Sequence, residues 1–75
     1  MPPLYVTQQN SKIRIQNRRL VVEQIEGSQA KELASLPIGQ VSQVIVFGNI
    51  GLTTPAIQNL LGLEVEVIFL SEDGA

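Results

Sequence analysis

Lys12-Ile13-Arg14-Ile15-Gln16-Asn17-Arg18-Arg19-Leu20-Val21-Val22-Glu23 reads as a β-hairpin. Its first half alternates with period two, so Ile13 and Ile15 fall on one face and Lys12, Arg14 and Gln16 on the other. With Asn17-Arg18 as a two-residue turn, Ile15 stands opposite Leu20, Ile13 opposite Val22, and Lys12 opposite Glu23. Apolar residues then meet apolar ones and opposite charges meet, so the pairing is self-consistent. Asn tolerates the positive φ that such a turn needs. Arg18 suits its second position poorly, and a longer loop is the alternative.

Working outward from the hairpin, Tyr5-Val6-Thr7 reads as a short preceding strand. Gln24 to Lys31 is polar, contains Gly27-Ser28, and reads as a connection. Leu33-Ala34-Ser35-Leu36 suits either a strand or one helical turn, and Pro37 ends whichever forms because it has no N–H to donate. Val44-Ile45-Val46-Phe47 is apolar at every position and stops at Gly48, which predicts a buried central strand. Asn49-Ile50-Gly51 suits a turn or bulge.

Thr54-Pro55 marks a helix start, with Thr54 as the cap and Pro55 in the first helical position. Ile57, Leu60 and Leu61 form its apolar stripe. Gly62 suits the left-handed residue after the last turn, with Leu63 packing back. Glu64 to Leu70 is strand again, with Val65 and Val67 on one face and Glu64, Glu66 and Ile68 on the other. Ser71-Glu72-Asp73-Gly74 is a turn signal that should hand over to a further strand, yet the chain stops at Ala75. The expected fold class is α+β, mainly β. It is a small antiparallel or mixed sheet domain with one short helix, truncated at a hairpin turn.

Composition narrows the function classes. Seventy-five residues make one small domain, and 44% apolar against 16% charged residues excludes a disordered tail. So apolar a chain with so few charges is expected to have part of its surface covered. No cysteine is present, so neither a disulfide framework nor a thiolate metal site braces it. The Met-Pro-Pro opening does not read as a signal peptide, and the apolar run Val67 to Leu70 is far short of a membrane span. A cytoplasmic protein is expected. Its net charge of −2 argues against a free-standing nucleic-acid binder, because phosphate neutralisation supplies most of such a binder's affinity.

Chemistry-bearing constellations are missing. There is no histidine to act as base for the serines and threonines, and no glycine-rich phosphate loop. Glu64 and Glu66 share a strand face and could in principle hold Mg²⁺, but a solvated strand face is the preferred reading, since such strands commonly face water on one side. The basic residues are more suggestive. Lys12, Arg14, Arg18 and Arg19 all lie on the hairpin, leaving only Lys31 elsewhere. They are the candidates for DNA contact, since a basic hairpin can straddle a phosphate backbone. A charged edge that discourages aggregation is the competing explanation.

A family resemblance goes further. Leu36-Pro37 followed by Val41, then Val44-Ile45-Val46-Phe47-Gly48-Asn49 and Leu52-Thr53-Thr54 with Ala56 and Leu60-Leu61, leads into Ile68-Phe69-Leu70-Ser71 closing on Gly74. This ordered series, with Arg19-Leu20-Val21-Val22-Glu23 before it, resembles the amino-terminal domain of the CRISPR spacer-acquisition integrase family (CRISPR-associated protein one). One departure is Glu64, standing where the family commonly has a glycine before the last strand. The resemblance implies that residues 1–75 are an amino-terminal β-domain, lacking the helical domain whose glutamate, histidine and aspartate cut and join DNA. It therefore implies no catalytic residue, no metal and no cofactor in this chain; the divalent ion (Mg²⁺ or Mn²⁺) belongs to that other domain. The implied roles are homodimer formation, docking of the smaller CRISPR-associated partner protein, and support of the inserted DNA. The alternatives are a stand-alone protein-interaction module and a small nucleic-acid-binding β-domain.

Overall fold

The computed structural model describes residues 3–71. Along the chain come β1 (Leu4–Val6), β2 (Ser11–Gln16), β3 (Arg19–Glu26) and β4 (Gln29–Pro37). After a 3₁₀ turn at Ile38–Gln40 follow β5 (Gln43–Phe47), β6 (Ile50–Leu52), α1 (Thr54–Gly62) and β7 (Glu66–Leu70). The chain is thus mainly β with one helix. The turn signal at Ser71 to Gly74 lies almost wholly outside the described residues.

β2 and β3 pair antiparallel in the register that the side-chain pattern dictates, with Ile15 opposite Leu20, Ile13 opposite Val22 and Lys12 opposite Glu23. The turn is two residues long, with Asn17 at φ 52° and Arg18 at φ 61°. Both must be left-handed for the turn to match the twist of its strands, so Arg18 holds a conformation that ordinarily belongs to glycine or asparagine.

The stretch after this hairpin differs from the expected connection. β3 runs on to Glu26 and β4 starts at Gln29, leaving only Gly27-Ser28 as a turn, with Gly27 at φ 61°. Its polar composition reflects position: β4 is an edge strand whose first five residues are all exposed. Such a strand needs few apolar side chains and is better protected without them. Residues Leu33 to Leu36 are strand, not helical turn. Leu36 stands opposite Leu20 and Ala34 opposite Val22, and a shift at Val22/Glu23 leaves Leu33 as the extra residue of a bulge.

Two sheets result. β1, β5 and β7 form an all-parallel sheet with β5 in the centre, as the apolar run predicts. The other sheet has the order β4-β3-β2-β6. Asn49-Ile50-Gly51 is therefore not simply a turn, because Ile50–Leu52 is a strand parallel to β2. Val6, Val44 and Val46 from one sheet, Ile13, Leu20 and Val22 from the other, and Leu60 of α1 share one core.

The helix is capped one residue earlier than expected. Thr53, not Thr54, is the N-cap, its Oγ1 accepting from Ala56 N at 3.2 Å. Thr53→Ala should cost about 1 kcal/mol and Thr54→Ala no more than a few tenths, measured by chemical denaturation. Gly62 stays within the helix, and Glu64 is the left-handed residue at φ 58°. Its N–H donates to Leu61 O at 3.1 Å, and the next N–H, of Val65, reaches Leu60 O at 2.9 Å. Leu63 is exposed and does not pack back.

At one end the chain crosses between the sheets twice, and Gln9 ties both crossings. Its Nε2 donates to Thr7 O at 3.3 Å and Phe47 O at 3.1 Å, and its Oε1 accepts from Asn49 N at 3.0 Å. Gln9 O in turn accepts from Gln24 Nε2 of β3 at 3.3 Å. Gly48 lies directly against this amide at φ 77°, where a Cβ would stand 2.6 Å from Gln9 Nε2.

Candidate interaction surfaces

Strand alternation sends Lys12, Arg14 and Arg19 to the face of the four-stranded sheet away from the core, with Arg18 at the turn. Two of the four are held internally. Arg14 Nε lies 3.2 Å from Glu23 Oε1, and its Nη1 donates to Gln16 Oε1 at 2.7 Å. Arg19 Nε donates to Ser35 Oγ at 2.9 Å and its Nη2 to Ser35 O at 3.1 Å. Between them lies Val21, paired with Arg14 on one side and Ser35 on the other, and only 3% exposed. Val21 is thus an apolar residue buried on the outer face, flanked by the two engaged arginines. Lys12, although directly opposite Glu23, leaves that carboxylate to the diagonal Arg14. The side chains of Lys12 and Arg18 have no hydrogen bond or ion pair among the described residues.

The carboxylates do not gather. Glu64 lies before β7, off the strand face it was expected to share, and Glu66 Oε1 accepts from Gln43 Nε2 at 2.6 Å. Among the described residues no three His, Cys, Asp or Glu side chains lie close enough to hold a metal ion. No helix is long and apolar enough to cross a membrane, among the described residues.

The three-stranded sheet presents a surface of another kind. Val44 and Val46 point into the core, so Ile45 and Phe47 point away from it. The parallel register sets Tyr5, Ile45 and Ile68 in one row across the sheet and Phe47 beside Leu70 in the next. Tyr5 is 60% exposed, and the other four are only half-buried. Parallel sheets are ordinarily covered on both faces. Here α1, burying Ala56 and Leu60, serves the core side alone. Phe69, on the β7 edge, is 63% exposed. Sequence patterning missed this surface, although β5 and the end of β7 are apolar at odd and even positions alike, which is its signature.

The family model for CRISPR associated protein Cas1 matches residues 4–75. The chain belongs to the Cas1 family. It is 37% identical over 71 residues to the CRISPR-associated endonuclease Cas1 1 of Thermus thermophilus, covering 95% of this chain and 21% of that protein. It is 36% identical over 72 residues to a CRISPR-associated exonuclease Cas4/endonuclease Cas1 fusion of Geobacter sulfurreducens, covering 96% of this chain and 12% of the fusion. The chain thus spans about a fifth or less of these relatives. Among solved structures it superposes on a chain of a partial Cas6-RT-Cas1–Cas2 complex with a TM-score of 0.83 at 22% identity, covering 97% of this chain and 21% of that one. A casposase bound to integration product gives 0.68 at 18% identity, covering 95% and 22% of the two chains. A Cas1 protein from Thermotoga maritima gives 0.65 at 16% identity, covering 97% and 21%. At such identities the likeness is one of fold, and the Cas1 fold extends over both sheets and the helix described above.

Proposed function

We propose that this chain is the amino-terminal dimerisation and assembly domain of a CRISPR adaptation DNA endonuclease or integrase, working in the cytoplasm on spacer insertion. The observation that carries this reading is the apolar row of exposed Tyr5 and half-buried Ile45, Phe47, Ile68 and Leu70 on the outer face of a parallel sheet. Family membership supports it. A second copy covers that face, and the smaller CRISPR-associated partner and DNA join the resulting pair. Cutting and joining, with Mg²⁺ or Mn²⁺, fall to a catalytic domain outside this chain. Tyr5→Glu combined with Ile68→Lys places charge on that face and should leave a monomer where the parent chain is paired, as read by light scattering on a sizing column.

DNA is the second partner, supported by the basic hairpin. Lys12 lines an open concavity of about 370 Å³ together with polar Asn10, Ser11 and Asn49 and apolar Ile25 and Leu52, where its ammonium could meet a phosphate. Lys12, Arg14 and Arg19 share the outer sheet face, with Arg18 beyond them at the turn. Changing Lys12, Arg14 and Arg19 to Gln, in a full-length Cas1 protein carrying this domain, should weaken DNA binding. It should also lower the slope of log affinity against log salt by about one unit per lost phosphate contact. An unchanged slope would make the hairpin a solvated edge.

A further inference from the structure

Beside the hairpin turn, Arg18, Pro37, Ile38, Gly39, Asn59 and Leu63 line an open groove of about 470 Å³. We propose that this groove binds an extended acidic peptide of a partner protein, Arg18 pairing with a carboxylate while an apolar side chain beside it packs on Pro37, Ile38 and Leu63.

Four observations carry the assignment. Arg18 is held at φ 61°, a conformation in which glycine or asparagine would rest more easily, so the turn keeps an arginine against its own backbone preference. Its guanidinium has no partner among the described residues, whereas Arg14 and Arg19 are both engaged. The groove is built rather than accidental. Ile38 N donates to Arg18 O at 3.0 Å, fixing turn and floor together, and the Ile38 side chain is buried. Asn59 spends its Nδ2 on Pro55 O at 2.7 Å, which fixes the side chain and leaves Oδ1 to accept from a peptide N–H. Finally, none of the six lining residues is acidic, in a chain whose net charge is −2. The groove is therefore a cationic spot with apolar walls.

That combination selects among anions. Nucleic acid presents phosphates in series and is held by several cations in step, but this groove has one, beside Leu63 at 52% exposure. A carboxylate flanked by an apolar side chain satisfies both the guanidinium and the walls, and guanidinium–carboxylate pairs form two parallel hydrogen bonds. The groove involves none of the residues of the parallel-sheet face, so either proposal stands without the other.

The test is an NMR titration of the 75-residue chain with an acetylated, amidated heptapeptide alternating Leu and Asp. Amide shifts should concentrate at Arg18, Ile38, Gly39, Asn59 and Leu63. The same peptide with Asn replacing Asp should bind at least about tenfold more weakly, since the charged bond is the selective one. Arg18→Gly removes the guanidinium while suiting the turn, so it should abolish binding without lowering the melting temperature. Equal binding of the two peptides, or unchanged binding by Arg18→Gly, would overturn the proposal. So would an oligothymidylate that shifts the same amides while the peptide does not, or shifts there that follow protein concentration alone.

Discussion

Gly48→Ala should destabilise the domain by about 2–4 kcal/mol. Left-handed backbone costs a residue bearing a Cβ roughly 1–2 kcal/mol. The remainder comes from Gln9, since the new methyl would stand 2.6 Å from its Nε2 and 2.7 Å from its Oε1. Moving that amide weakens its bonds to Thr7, Phe47 and Asn49, which together contribute about 1–2 kcal/mol where water partly replaces the lost partners. Chemical denaturation measures the total, and a cycle with Gln9→Ala separates its parts. In the Gln9→Ala background, Gly48→Ala should cost only the backbone share, because the collision partner has gone. Equal costs in both backgrounds would show that Gln9 is not the obstacle.

The second large effect belongs to the helix. Leu60 is wholly buried among residues of both sheets, so Leu60→Ala should cost about 2–5 kcal/mol. Leu61 is 67% exposed, and Leu61→Ala should stay within about 0.5 kcal/mol. The contrast matters because the spacing of Ile57, Leu60 and Leu61 makes all three equal members of one stripe. The structure separates them. Ala56 and Leu60, four apart, form the buried line, and Ile57 and Leu61 lie to its side. Comparable losses for Leu60→Ala and Leu61→Ala would restore the stripe and contradict the packing described here.

What the sequence made legible follows from where its information is local. The β2–β3 register could be read because a one-residue slip would turn Ile13 and Ile15 to solvent, and only one pairing satisfies both strands. The centrality of β5 was legible in its unbroken apolar run. β4 and β6 were not, for opposite reasons. β4 is an edge and carries polar residues, while β6 is three residues whose strand character depends on β2, nearly forty positions earlier. The helix end was misplaced because Gly62 is the residue that local rules favour, yet the turn geometry falls on Glu64. The candidate site divided similarly. The basic residues are visible as a cluster, but which of them are engaged depends on Glu23 and Ser35, placed by pairing across strands. The apolar face became visible only when parallel register set Tyr5, Ile45 and Ile68 side by side.

Assembly through that face is the central claim, and sedimentation equilibrium of the 75-residue chain tests it most directly. The proposed dimer predicts a concentration-dependent shift from the 8.2 kDa monomer to twice that mass across the micromolar range. A closed two-fold pair is the commonest symmetric arrangement. The unfolding midpoint should rise over the same range, as mass action requires when association stabilises the fold. The Tyr5→Glu, Ile68→Lys variant should remain monomeric at every concentration. A parent chain that sediments as a single 8.2 kDa species throughout, with a melting temperature independent of concentration, would contradict the account.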